Sequence, residues 1–227
     1  MGVSQGRWAI GVVVMTALIA TDVAAEPERK RSAEDYFREG VDHLGAGRND
    51  DAIQSFKFCV QYEQEQKECW FNLGVAYGRK RDFANETAAY EKAVGLDPNY
   101  GRAHFNLAVA YEDLGQAEKA LRHYERAIAA EPKTQDARLN RAMLLLTSKR
   151  VDEAVRAFQA AVKVKEDNPE AWFDLAEALD IQAEKQQEPA RTKGLRAAIS
   201  IYYKAIHLDP RHYRAHYNIG LIHSRLK

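Results

Sequence analysis

Residues 101–134 read GRAHFNLAVAYEDLGQAEKALRHYERAIAAEPKT, and this stretch decides the fold. Its apolar and small residues, among them Leu107, Ala108, Tyr111, Ala120, Tyr124 and Ala127, recur at three- and four-residue spacing. That rhythm describes two amphipathic helices. Gly115 marks the turn between them and Pro132 ends the second. Steps of 34 residues outward from this stretch meet the same residue types again. Tyr90, Tyr124 and Phe158 share one column; Ala93, Ala127 and Ala161 share another. Phe71, Phe105, Leu139 and Phe173 keep the step, as do Asn72, Asn106 and Asn140, and Pro98 and Pro132. A fixed period of this length means one helical hairpin repeated and stacked, not a globule around a single core. Stacked hairpins offer a long wall for binding and seldom a closed active site.

A consistent register places units at 33–66, 67–100, 101–134, 135–168 and 169–212, with a partial unit at 213–227. Counting slots from each start, the second unit has Trp70 at slot 4, Leu73 at 7, Gly74 at 8, Tyr77 at 11, Tyr90 at 24, Ala93 at 27 and Pro98 at 32. The third has His104, Leu107, Ala108, Tyr111, Ala120 at slot 20, Tyr124, Ala127 and Pro132. This pattern resembles the tetratricopeptide repeat (TPR), and the resemblance covers Ala33 to the C-terminus. It implies an all-α fold: a right-handed TPR superhelix, or α-solenoid, of about five helix-turn-helix repeats plus a C-terminal helix. Eleven helices are predicted, five antiparallel pairs and a last helix from His212 to about Leu226.

Several residues depart from the pattern. Glu39, His43 and Gln64 replace the usual Leu, Tyr and Pro in the first unit, as suits an end unit that meets water. Glu86 occupies slot 20, normally a close-packed Ala, and the sequence supplies no reason for it. Arg138, Arg141 and Lys149 weaken the fourth unit. The fifth spans 44 residues instead of 34, with the excess near 183–194. Its first helix is expected to run on a turn or two before a polar loop returns. The last helix carries Ile219, Leu221, Ile222 and Leu226, apolar on two sides, although no partner helix follows.

The N-terminus reads as a secretory signal peptide over 1–25: Arg7, a charge-free apolar run from Trp8 to Ala20, then Val23-Ala24-Ala25 before a cut ahead of Glu26. The run is too short to span a bilayer, which takes about 20 residues, so no membrane span is expected after cleavage. Residues 26–32 form a linker and 33–227 the TPR domain. The expected location is exported, and periplasmic if the source is bacterial. An exported chain meets an oxidising compartment, where two cysteines invite pairing. A Cys59–Cys69 bridge would staple the first two units and add about 2–3 kcal/mol. The alternative is two small apolar fillers. Lys plus Arg and Asp plus Glu number 33 each. With no basic excess, a nucleic-acid partner is not expected.

The resemblance also implies where a ligand would sit. In the family, slots 2, 5, 6, 9, 12 and 13 of each first helix face the concave wall. Here slot 5 supplies Phe71, Phe105, Leu139, Phe173 and Tyr217. Slot 9 supplies Val75, Val109 and Met143, and slot 6 supplies Asn72, Asn106, Asn140 and Asn218. Asn both donates and accepts, so such a row can pair with the backbone of an extended peptide whatever its sequence. The apolar stripe would select bulky side chains, a few of them worth about 2 kcal/mol each. The alternative is a stripe that only packs first helices together. Members that grip a C-terminal carboxylate carry basic residues at slots 2, 5 and 6; slot 5 is apolar here and Glu68 or Asp136 fills slot 2, so that mode is excluded.

Glu170, Asp174, Glu177 and Asp180 share one face of a helix. They form an acidic groove face for a basic ligand, or are neutralised by Arg138, Arg141 or Arg214, or are simply solvated. Nothing encloses them as acid–base catalysis requires. His207, His212, His216 and His223 raise a metal reading, but His104 and His216 fall at slot 4 and His43 and His223 at slot 11, where they look like ring-for-ring packing replacements. No phosphate loop, zinc spacing or nucleophile motif occurs. The expectation is a non-enzymatic scaffold without cofactor or metal, binding a protein or peptide in its groove and supporting assembly of an envelope complex. A homo-oligomer joined through the last helix is the rival.

Overall fold

The first four hairpins each close on one residue at slot 15. A computed structural model describes residues 31–227; the predicted leader and all but the end of the linker lie outside the described residues. Among the described residues there are eleven helices and no strand. They are α1 (Ala33–Gly45), α2 (Asn49–Tyr62), α3 (Lys67–Arg79), α4 (Phe83–Leu96), α5 (Gly101–Asp113), α6 (Ala117–Ala130), α7 (Gln135–Thr147), α8 (Val151–Val164), α9 (Pro169–Glu184), α10 (Ala190–Leu208) and α11 (Tyr213–Arg225). Between the paired helices, Gly47, Arg81, Gly115 and Lys149 all have positive φ, at 73°, 58°, 69° and 65°. Glycine takes this conformation without strain; Arg81 and Lys149 take it at a cost of about 1 kcal/mol each. In the fifth unit slot 15 is Ala183, which stays helical. The turn is missed there, and α9 runs on to Glu184.

The core is a row of rings and small residues. Phe56, Tyr90, Tyr124, Phe158 and Tyr202 hold slot 24 and are buried, as are Cys59, Ala93, Ala127, Ala161 and Ala205 at slot 27. Close approach within a hairpin needs a small residue opposite the ring: a Cβ on Gly74 would lie 2.6 Å from the Tyr90 ring.

A side-chain N–H stitches each unit to the one before it. Trp70 Nε1 donates to the Gln64 carbonyl and Trp172 Nε1 to the Glu166 carbonyl, both at 2.8 Å. Arg138 reaches the Pro132 carbonyl at 2.8 Å, and His104 and His216 meet those of Pro98 and Pro210 at 3.0 and 3.2 Å. Each donor is at slot 4 and each acceptor at slot 32. What slot 4 shares is therefore an N–H that reaches this carbonyl, which explains why Arg138 serves as well as a ring. Satisfying the carbonyl at a helix end is worth about 1 kcal/mol.

The extension of the fifth unit is helix rather than a long polar loop: only 185–189 separate α9 from α10. Its added turn holds the last helix. Arg225 of α11 pairs with Asp180 at 2.8 Å and Glu184 at 2.9 Å, and Arg191 of α10 meets Glu184 at 3.0 Å. Ala215, Ile219 and Ile222 bury the inner side of α11. Among the described residues no helix is long and apolar enough to cross a membrane.

Candidate binding groove

The first helices of successive units supply the expected wall, and their slot 5 rings stand on the slot 24 rings beneath. Phe71 packs 5.7 Å from Tyr90, and Phe105 packs edge-on 5.9 Å from Tyr124. Both stay half-buried, as do Leu139, Val75 and Val109, while Met143 and Tyr217 are exposed. Phe173 is a correction. It is 1% exposed, with His212 stacked at 4.9 Å and the Arg214 guanidinium 4.0 Å above the ring. His212 caps α11 by accepting from the Ala215 N–H, which draws its ring over Phe173 and leaves little of that ring exposed.

The asparagine row is partly occupied by the fold. Asn106 donates to the Tyr90 hydroxyl at 3.2 Å, Asn140 to Tyr124 at 3.4 Å and Asn218 to Tyr202 at 2.9 Å. Each pair spans 16 residues and ties one unit to the next. Where slot 24 is Phe56 there is no hydroxyl, and Asn72 turns back to the Glu68 carbonyl at 2.8 Å. Every clasp uses one amide hydrogen, which leaves the other hydrogen and Oδ1 of each amide for a ligand.

A cavity of about 250 Å³ opens at the centre of this wall, floored by Phe71, Phe105, Ala127 and Ala137 and rimmed by Asn106, Arg102, Asp136 and Glu131. It is below the usual size of a small-molecule pocket, about 300–1,000 Å³, and suits a side chain. Arg102 lies 5.8 Å over the Phe71 ring, so its charge is held at the rim.

Of the acidic face, two members are paired and two are not. Glu170 meets His212 and Arg214 at 3.3 and 3.4 Å, and Asp180 meets Arg225. Asp174 follows Phe158, which offers no hydroxyl partner. Burial, then the charges of Glu170 and Glu177, push its carboxyl up to about 6 despite Arg214. Glu177 lines the open end of the groove with Tyr213, Tyr217 and Asn218.

Cys59 and Cys69 are both buried, with Cα atoms 6.0 Å apart and sulfur atoms in contact. Among the described residues no group of three His, Cys, Asp or Glu is placed to hold a metal ion. His104 instead meets His123, Nδ1 to Nδ1 at 3.0 Å. Since His104 Nε2 donates to Pro98, His123 is the donor between the rings, and burial pushes it down to about 4, so it stays neutral. Sequence reasoning missed His123 and the tyrosine clasps, although the 16-residue spacing of Tyr and Asn is visible in the chain.

The tetratricopeptide-repeat sequence profile matches residues 37–101, 85–132, 105–163 and 143–188. The chain belongs to the tetratricopeptide-repeat family. Its fold is the right-handed TPR superhelix expected above. Solved TPR structures superpose over most of the chain. YrrB, described as a TPR protein with an unusual peptide-binding site, is 20% identical with a TM-score of 0.67, over 84% of this chain and 93% of its own. MamA from Desulfovibrio magneticus is 18% identical with a TM-score of 0.66, over 79% of this chain and 96% of its own. A TPR protein from Parabacteroides merdae is 20% identical with a TM-score of 0.68, over 84% of this chain and 72% of its own. At these identities the likeness is one of fold. No curated protein matches the chain.

Proposed function

We propose that this TPR protein is a non-enzymatic adaptor that binds an extended segment of a partner protein along its concave wall. The observation that carries the reading is the central cavity, where Phe71, Phe105 and Asn106 meet at one opening between successive first helices. Half-buried Val75, Val109 and Leu139 and exposed Met143 continue the apolar stripe on either side. The free Oδ1 atoms of Asn72, Asn106 and Asn140 run beside it as backbone acceptors. YrrB, of like fold, is described by a peptide-binding site, which supports the mode without naming a ligand. The leader-like N-terminus supports export, and a periplasmic place in envelope-complex assembly if the source is bacterial. A Cys59–Cys69 disulfide fits that compartment.

The test is a random peptide library panned on the folded chain, with affinities measured by fluorescence anisotropy. Phe105→Ala and Val109→Asp should each weaken selected peptides at least tenfold, while Tyr203→Asp, on a second helix, should leave them unchanged. Equal loss from Tyr203→Asp, or none from the first two, overturns the groove reading.

One observation favours a second reading, self-association through α11. Tyr213 and Tyr217 are 77% and 66% exposed, Leu221 is exposed, and a Cβ on Gly220 would meet nothing, although slot 8 elsewhere receives a ring. Truncation would strip the buried side of α11 from the core, so Tyr217→Glu with Leu221→Glu is the cleaner probe. Light scattering over a concentration series should show a mass that falls on substitution; an unchanged monomer mass in both proteins ends this reading.

A further inference from the structure

Slot 20 of the second unit holds Glu86 where the pattern calls for Ala, and the structure shows what that substitution required. A Cβ at Gly78 would lie 2.5 Å from Glu86 Oε1, so the carboxylate occupies space that the bare backbone at slot 12 of α3 leaves open. Glu86 is 8% exposed, and its carboxylate has neither a hydrogen bond nor an ion pair to any described residue. A side chain so largely removed from water, with a carboxylate that has no partner, is costly. Its environment adds further acid: the Asp113 charge acts on it from the end of α5. Beside Asp113 is Glu112, whose carboxylate accepts from the Tyr124 hydroxyl. Burial, then Asp113, pushes the Glu86 carboxyl up to about 7, and burial raises Glu112 as well.

Among the described residues no ion pair joins a cation to Glu86 or Asp113. Of the nearest basic residues, Arg79 donates to the Leu44 carbonyl and Lys80 pairs with Asp50, while Arg81 lies 5.6 Å over the Phe83 ring. Slots 12 and 13, where Gly78, Glu112 and Asp113 sit, belong to the concave side of the repeat. The feature therefore combines an acidic rim, a largely buried side chain whose carboxylate has no partner, and a missing side chain over that carboxylate. Each is odd alone, and together they make a receptor.

We infer that Glu86 and Asp113 receive a cationic side chain, the ammonium of lysine or the guanidinium of arginine, which the segment bound in the groove lowers past Gly78. This rests on the groove reading and adds a requirement to it: the ligand carries a basic residue beside the bulky side chain that enters the central cavity. Pairing would return Glu86 to its charged form and remove the penalty of its burial, so the free protein is poised for the cation.

The experiment follows the Glu86 carboxyl by carbon-13 NMR across a pH series in the full chain, with Glu86→Gln assigning the signal. The probes are n-butylammonium and methylguanidinium, compared with tetramethylammonium at the same ionic strength. The expected result is a titration midpoint that falls under the first two probes and holds under the third, which cannot donate a hydrogen bond. An equal fall with all three reports screening alone and overturns the proposal, as does no movement with any of them. Failure here leaves the groove reading standing, since peptide capture and its loss at Phe105 are measured separately.

Discussion

Replacing Glu86 by Gln should make the protein's stability less sensitive to pH, and the size of the effect can be worked from the structure. The side chain is largely buried over Gly78, and no ion pair among the described residues reaches it. Its carboxyl titrates near 7 in the folded chain, against an ordinary 4.5. The folded state therefore holds a proton that the unfolded state releases between those values. Stability falls as pH rises wherever the folded state binds more protons. Holding the midpoint near 7 corresponds to about 3 kcal/mol, lost progressively between about pH 4.5 and 7 and constant above. Glutamine keeps the shape and does not ionise. Urea unfolding followed by circular dichroism, run on both proteins across this range, isolates the effect, because other titrating groups cancel in the difference. The stability of Glu86→Gln minus that of the parent should climb by about 3 kcal/mol from pH 4.5 to 7 and then level off. A difference that is flat with pH, or that climbs below pH 4, would refute the burial argument.

Four further outcomes follow from the geometry. Lys149→Gly should stabilise the chain by about 1 kcal/mol in denaturant titration, because Lys149 holds a positive φ that glycine adopts freely. Trp172→Phe keeps the ring but removes the N–H given to the Glu166 carbonyl; equilibrium unfolding should show a loss of about 1 kcal/mol, and no loss would discredit the stitch at slot 4. Arg225→Ala breaks the ties to Asp180 and Glu184, so hydrogen exchange should quicken in α11 while α5 and α6 keep their protection. Thiol titration of unreduced protein should find no free cysteine, and reduction should cost about 2–3 kcal/mol; two titratable thiols in the native protein would remove the staple.

The helices were legible because helical periodicity and the 34-residue step reinforce each other at every unit. A wall of first helices carrying Phe71, Phe105 and Asn106 was legible for the same reason. What escaped the reading were partnerships across units. The column of Asn106, Asn140 and Asn218 suggests free amides until each is seen donating to a tyrosine 16 residues earlier. Phe173 has the same slot as Phe105, yet His212 and Arg214 cover it because α11 starts with a capping histidine. Residues 183–194 resembled a loop insertion since composition alone does not reveal that slot 15, filled by Ala183, fails to turn. Glu86 was inexplicable in one dimension because its explanation, the bare backbone of Gly78, lies on the neighbouring helix.

The most direct test of the central claim is chemical-shift mapping of the full chain with a library-selected peptide. Shifts concentrated on Phe71, Phe105, Asn106, Val109 and Met143, saturating at one peptide per chain, are what an open concave wall requires. Shifts confined to the second helices, or to Tyr213 and Tyr217 alone, would contradict it.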